Sequence, residues 1–296
     1  MISVIIPTRN RSDLLKESIS AILTNRIDFN KILIIDSSDD INFQNLEYLH
    51  NKIIHLRTKI KSAAIQRNIG IEALDTNQKY VAFLDDDILV PNNYFSELIK
   101  TIETTDCVGV SGLALNPQDL LEKRLSKKLQ IILAKLFLLN SSREGAVLKS
   151  GVNIPVSRNR KHSIEVEWLI GCAVWDFSKT SNLRFREDFH GQSLGEDVIY
   201  SHNARKFGAL YVNPTVILTH FESSLMRPNE EEFMYMWIKN RYEIIKERQI
   251  KLGSLLAYHW SNFGKVLQII FLKKNVKLNS LRGVLRAYKE ISGRQK

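Results

Sequence analysis

Residues 80–87 read Tyr80-Val81-Ala82-Phe83-Leu84-Asp85-Asp86-Asp87, a short apolar run that stops at three consecutive carboxylates. The run has the length and residue types of a buried β-strand, so the acids sit at its carboxyl end. Three like charges side by side cost stability unless a cation neutralises them, and hard oxygen donors at a strand end suit Mg2+ or Mn2+. Taken by spacing alone, the same residues also read as a solvated acidic turn.

Outward from this stretch, the first 112 residues alternate two periodicities. Short runs rich in β-branched residues at 3–6, 31–35, 53–56, 80–84 and 107–110 are bounded by polar or turn residues. A helix opened by Ser12 as N-cap, with Asp13 in its first turn, carries Leu15, Ile19, Ile22 and Leu23 on one face. A second spans about Ser62 to Leu74, with Ile65, Ile69 and Ala73 on one stripe, and a third follows Pro91. Strands alternating with helices predict a mostly parallel, Rossmann-like α/β sheet covered on both faces. Ligands of such sheets bind outside the carboxyl ends of the strands. Three polar clusters should meet there: Pro7-Thr8-Arg9-Asn10-Arg11, Asp36-Ser37-Ser38-Asp39-Asp40 and Asp85-Asp86-Asp87.

The pattern changes after about Ala114. Residues 118–139 read as a long amphipathic helix, 145–176 as irregular strands, and 195–207 as a helix ended by Gly208. Strands are expected at 209–212 and 215–219. From Glu230 onward the chain reads as helical, with Phe233, Trp237, Ile244 and Ile245 making an apolar face. The expected organisation is therefore a domain over 1–222, divided at 112/113 into two halves, and a helical extension over 223–296.

The composition is that of an ordinary globular protein: 296 residues, 44% hydrophobic, 25% charged, with 13 Gly and 6 Pro. Collagen-like, low-complexity and disulfide-scaffold classes are excluded. The 2 cysteines, Cys107 and Cys172, lie far apart in apolar surroundings and read as reduced buried thiols, which fits a reducing, cytoplasmic compartment. Met1 to Arg11 lacks the pattern of a signal peptide, and no apolar run approaches about 18 residues; the nearest, 129–139, is interrupted by Lys135. Net charge is +10, and its location is telling. Residues 1–226 hold 27 Lys/Arg against 26 Asp/Glu, whereas 227–296 hold 15 against 6. A basic helical tail suits an anionic membrane surface, nucleic acid or an acidic polymer.

Four further constellations carry chemistry. Asp36, ending a parallel strand, is placed to accept hydrogen bonds from a ribose or base edge, and equally to form a turn. In Gln66-Arg67-Asn68-Ile69-Gly70 an Arg and an Asn interrupt an apolar helix, and an Arg aimed at the sheet edge could hold the acidic loop or a phosphate. Gly195-Glu196-Asp197 opens a helix with two carboxylates that either complement its dipole or supply a base. His220, at a strand end, reads as a metal ligand or as a satisfied core histidine. There is no GxGxxG, GxxxxGK[ST], GxSxG or HExxH pattern.

These residues, in order, resemble the motif set of family 2 glycosyltransferases, which have the GT-A fold. The matching stretches are Val4 to Arg11, Ile34 to Asp40, Gln66 to Gly70, Phe83 to Asp87 and Gly195 to Asp197, and the resemblance covers about residues 1–222. It implies that Pro7, Thr8 and Arg9 line a nucleotide pocket, with Asp36 accepting from the base and Arg67 near the pyrophosphate or the acids. Asp85 and Asp87 match the outer positions of the family's DXD motif, Asp86 would contact the ribose or nucleotide, and Asp87 would ligate the metal directly. Trp168 to Cys172 resembles the acceptor-side segment, with Trp168 and Gly171 as acceptor contacts. Asp197 would be the general base with Glu196 beside it, and His220 would join Asp85 and Asp87 at the metal. Ile35 and Ser37 stand where the family's second motif often carries Asp and Gly.

The implied activity is inverting, metal-dependent transfer of a sugar from a nucleotide-sugar donor, UDP-linked by default, to a hydroxyl of a glycan or lipid-linked acceptor in surface polysaccharide synthesis. Mn2+ or Mg2+ would be the cofactor, and the basic tail would hold the enzyme at the cytoplasmic membrane face. Two other readings are nucleotidyl transfer onto a sugar phosphate, which calls for a Gly-rich N-terminal loop that Thr8 to Ser12 lacks, and polyanion binding by the tail. The latter leaves the acid cluster unexplained, and the tail lacks the spacing of a nucleic-acid module, so no nucleic-acid partner is expected.

Overall fold

A computed structural model describes residues 1–39, 46–116, 127–189, 194–221, 229–272 and 277–293. The chain runs β1 (Ile2–Thr8), α1 (Ser12–Leu23), β2 (Phe29–Asp36), β3 (Ile53–Arg57), α2 (Ala63–Glu72), β4 (Tyr80–Phe83), β5 (Ile88–Leu89), α3 (Tyr94–Thr105) and β6 (Gly109–Leu115). It continues α4 (Lys127–Leu136), β7 (Ile164–Val166), β8 (Ala173–Asp176), α5 (Phe177–Thr180), α6 (Glu196–Ala204), β9 (Leu210–His220), α7 (Glu230–Glu247), α8 (Leu252–Leu272) and α9 (Lys277–Gly293). The chain divides into two compact units: Met1–Glu122 with Val156–Ser223, and Lys123–Pro155 with Ser224–Lys296.

The first unit is built on one sheet of order β3-β2-β1-β4-β8-β6-β9-β5, with β7 also on β9. Pairing is parallel through β3-β2-β1-β4, as the sequence predicts. Beyond β4 the sheet is mixed: β8 runs antiparallel to β4 and β6, and β5 and β7 run antiparallel to β9. Every residue of β1 is buried because helices cover both faces. Its side chains alternate, Val4 and Ile6 packing with Leu15 and Ile19 of α1 on one side, and Ile5 with Ala64 and Ile71 of α2 on the other.

Three local expectations are corrected. Ser12 is not the cap of α1: Arg11 holds that place, without a side-chain hydrogen bond. The two short strands expected at 209–212 and 215–219 are one strand, β9, which passes through Pro214; its register against β6 shifts between Ser111 and Leu113. Pro is tolerated at such an irregularity because no ladder N–H is required there. The helix expected over 118–139 is described only as α4, residues 117–126 lying outside the described residues.

In the second unit α7, α8 and α9 share a core of Met234, Ile238, Tyr258, Ile269, Val284 and Ala287. Of the apolar face predicted for α7, Ile244 and Ile245 are buried and Trp237 packs half-buried against this core, whereas Phe233 is exposed. Among the described residues no helix is long and apolar enough to cross a membrane.

Candidate active site

Sheet register brings the expected loops together. Thr8 at the end of β1 pairs with Asp36 at the end of β2, and Asp36 pairs with Arg57 at the end of β3. β4 ends beside them, with Ile5 opposite Phe83, and Leu84 N–H donates to the Ile5 carbonyl at 3.1 Å before the acids begin.

Asp36 is fully buried and accepts from Arg57 Nη1 at 2.7 Å, His55 Nε2 at 3.2 Å and the Ser38 N–H at 2.7 Å. Burial by itself would raise its carboxyl, but the hydrogen bonds from His55 and Ser38 and the Arg57 charge outweigh it and hold the group below its ordinary value. The loops after β1 and β2 are stitched to each other on the solvent side. Arg9 pairs with Asp39 at 2.9 Å, and Asn10, in the left-handed region at φ 55°, both donates to Asp39 and accepts from its N–H. Pro7 is buried within β1. Asp40 lies outside the described residues.

Asp85 turns to Arg67, whereas Asp86 and Asp87 share Arg11. Asp86 is buried, accepts from Thr8 Oγ1 at 2.7 Å and from Arg11 Nη1 at 3.0 Å, and shares that same nitrogen with Asp87 at 3.0 Å. Burial pushes the Asp86 carboxyl up to about 6, against the pull of Arg11 and Thr8. Asp85 accepts from Arg67 Nη2 at 2.8 Å and from the Cys172 thiol at 3.6 Å. Burial pushes that thiol well above its ordinary value, which keeps it a proton donor. Asp87 lies 3.1 Å from His220 Nε2. The antiparallel pairing of β5 with β9 sets Ile88 opposite His220, and Phe221 N–H donates to the Asp87 carbonyl at 2.9 Å.

One ligand atom each from Asp85, Asp87 and His220 lies within 4.8 Å of the others. Two carboxylates and an imidazole suit a hard or borderline divalent ion. Charge favours one too: among the described residues, the carboxylates of Asp85, Asp86, Asp87, Glu196 and Asp197 interact with the guanidinium groups of Arg11 and Arg67. The residues therefore fit Mn2+ or Mg2+.

The segment 66–70 proves to be the keel of the site. Gln66 Nε2 donates to the carbonyls of Thr8, at 2.9 Å, and Ile35, fixing the ends of β1 and β2. Arg67, almost fully buried, donates through one nitrogen to Asp85 and through the other to Glu196, with its guanidinium 5.3 Å from the Phe185 ring centroid. Asn68 clasps the backbone of Phe185 from both sides, donating to its carbonyl at 2.9 Å and accepting from its N–H at 2.8 Å. Gly70 is small because a Cβ there would lie 2.5 Å from Ile5 Cγ2.

Glu196 and Asp197 open α6, following Gly195 at φ 91°. Glu196 is buried, and its Oε2 has no hydrogen-bond partner among the described residues. Burial pushes its carboxyl well up despite Arg67. Asp197 is half-buried, accepts from the Val198 N–H at 2.8 Å, and burial lifts its carboxyl to about 6. Gly171 lies against the Arg67–Asp85 pair: a Cβ there would meet Arg67 Nη2 at 3.1 Å and both Asp85 oxygens at 3.7 Å. Trp168 is half-buried, and the neighbouring Leu169 N–H donates to Ser201 Oγ of α6 at 3.0 Å. His55 and Arg57 belong to this network without having been singled out from sequence, where Arg11 was named only within the cluster after β1 and Cys172 only as a buried thiol closing the acceptor-side segment.

A family model described as "Glycosyl transferase family 2" matches residues 3–157. No curated protein sequence matches the chain. Among solved structures, Staphylococcus aureus TarS 1–349 superposes with a TM-score of 0.56 at 13% identity, covering 97% of this chain and 78% of that one. TarS 1–349 in complex with UDP-GlcNAc gives 0.59 at 14% identity, covering 95% and 79%. GalNAc-T7 with UDP, GalNAc and Mn2+ gives 0.59 at 12% identity, covering 90% of this chain and 55% of that one. The family match selects the glycosyltransferase reading over nucleotidyl transfer and over polyanion binding.

Proposed function

Because the chain belongs to glycosyl transferase family 2, a nucleotide-sugar glycosyltransferase of the GT-A fold, we propose that it is an inverting, metal-dependent enzyme. Its donor is a UDP-sugar, and its acceptor is a hydroxyl of a glycan or lipid-linked saccharide in surface polysaccharide synthesis. It works at the cytoplasmic face of the membrane, held there by its basic C-terminal part. The domain division proposed is a catalytic domain over 1–222, with a nucleotide-sugar half to 112 and an acceptor half from 113, followed by an extension over 223–296.

The observation that carries this reading is the Arg67 fork, which ties Asp85 of the acid cluster to Glu196, the neighbour of Asp197. This link supports reading Asp197 as the base that works beside a cluster suited to a metal–diphosphate. Asp36 orients the nucleobase, held ionised and in place by Arg57 and His55, with Pro7, Thr8 and Arg9 forming the adjoining wall. Asp86, fixed by Thr8 and Arg11, faces the ribose. Asp87, Asp85 and His220 would hold a divalent ion, which would supply Lewis-acid stabilisation of the charge on the diphosphate leaving group. Asp197 takes the proton of the acceptor hydroxyl as its oxygen bonds to the anomeric carbon and the bond to the diphosphate oxygen breaks on the opposite face. Configuration inverts. Trp168 and Gly171 position the acceptor, and Arg67 acts by aligning Asp85 and Glu196.

Thermal melting with UDP, GDP, dTDP and CDP, each with and without Mn2+, tests this reading. One nucleotide should raise the Tm only with metal, and Asp87→Ala should abolish the rise. Absence of any shift under every condition would remove the support for a nucleotide donor.

A further inference from the structure

Charge divides sharply between the two compact units. Residues 123–155 and 224–296 carry 22 Lys/Arg against 7 Asp/Glu, net +15, while the sheet-bearing unit carries 20 against 25, net −5. The basic unit also carries an unpartnered apolar surface. Along α8, Leu252, Leu256, Trp260 and Phe263 recur at three- and four-residue spacing and Phe271 follows two turns on, so they fall within an arc of about 100°. They are from 44 to 77% exposed. The opposite side of the same helix buries Tyr258, Ser261, Asn262 and Ile269.

α4 extends this surface. Trp260 Nε1 donates to the Leu136 carbonyl at 2.8 Å, and the Phe137 ring lies 5.1 Å from that of Trp260 and 6.1 Å from that of Phe263. Gly264 makes room for Phe137, since a Cβ would lie 2.2 Å from its ring. So joined to α8, α4 leaves Ile131, Ile132 and Leu136 exposed beside the α8 stripe. Lys135 and Lys251, both exposed, stand within and at the end of this surface.

We propose that the α4–α8 face is an interfacial membrane-docking surface that lies flat on an anionic bilayer. Its exposed apolar side chains enter the headgroup–acyl boundary while Lys135 and Lys251 contact lipid phosphates. Deepening the membrane reading above, on which it rests, this inference names the surface and the lipid class. Charge decides between occupants: two copies of a unit carrying +15 repel across a shared face, whereas an anionic leaflet attracts it. α8 spans about 30 Å along its axis, enough for a broad in-plane contact, and it is not apolar enough to span the membrane.

The test is flotation of the full chain with phosphatidylcholine vesicles and with equimolar phosphatidylcholine–phosphatidylglycerol vesicles. The native chain should float with the anionic vesicles only, and high salt should weaken the association. Leu256→Glu/Phe271→Glu, at two well-exposed positions, should bind at least about tenfold more weakly while keeping the native melting shift with UDP and Mn2+. Failure of the native chain to float overturns both the surface and the membrane reading. Equal flotation of the double variant overturns the surface alone and leaves membrane attachment standing. A native dimer that the double variant converts to a monomer identifies the face as a self-association interface and overturns the proposal.

Discussion

His220 Nε2 sits 3.1 Å from Oδ1 of Asp87, although the two residues come from the two separate chain segments of the first unit. The antiparallel seating of β5 against β9 makes this contact, because Ile88 pairs with His220 and carries Asp87 with it. A histidine that reads equally well as core or ligand from sequence thereby joins two carboxylates in one donor set.

Replacing His220 should therefore weaken metal binding more than it weakens the fold. His220→Gln is expected to raise the Mn2+ concentration needed for nucleotide-dependent stabilisation by about 10- to 100-fold, with Tm in the absence of ligand nearly unchanged. A metal titration monitored by melting with UDP present measures both.

Arg67 holds two carboxylates with a fork that Lys lacks. Arg67→Ala leaves Glu196 as an uncompensated buried acid and should cost about 3–5 kcal/mol in urea unfolding. Adding Glu196→Gln should restore part of that stability without restoring transfer, because Asp85 still lacks its partner.

The pH dependence follows from Asp197, whose carboxyl is lifted to about 6 by burial. A base works only when deprotonated, so kcat/KM should be flat above this value and fall about tenfold per pH unit below it. In Asp197→Asn this limb should vanish together with most of the rate, a loss of about 10²- to 10⁴-fold. A pH–rate profile at saturating Mn2+ distinguishes the two.

Gly70→Ala should destabilise the fold by about 1–3 kcal/mol, because its Cβ would collide with Ile5 in β1. Urea unfolding measures the loss, and weaker nucleotide binding should accompany it, since Gln66 on the same helix fixes the ends of β1 and β2.

Much of this arrangement is legible in sequence where local signals agree with the fold. The apolar runs of β1, β2 and β4 are buried on both faces, so they stand out, and each ends in the polar residues that build the site. What escapes is set by long-range pairing. His55 and Arg57 alternate along β3 and share a face, yet only the β2–β3 register reveals that they hold Asp36. Arg11 reads as a loop residue until the turn at Asp86 and Asp87 folds back to it. Cys172 reads as an inert core thiol, and its position against Asp85 depends on β8 pairing with β4. Pro214 reads as a strand break, whereas a register shift absorbs it within β9. Nothing local to residues 123–155 signals that they cluster with the C-terminal helices.

The most direct measurement of the central claim is UDP release from a panel of UDP-sugars by the native chain and by Asp197→Asn and Asp87→Ala, with Mn2+ and with EDTA. The account predicts release by the native chain with Mn2+ alone, release slowed at least about 100-fold in either variant, and retention by Asp197→Asn of the UDP–Mn2+ melting shift that Asp87→Ala loses. Release by Asp197→Asn at the native rate, or undiminished release in EDTA, would contradict it.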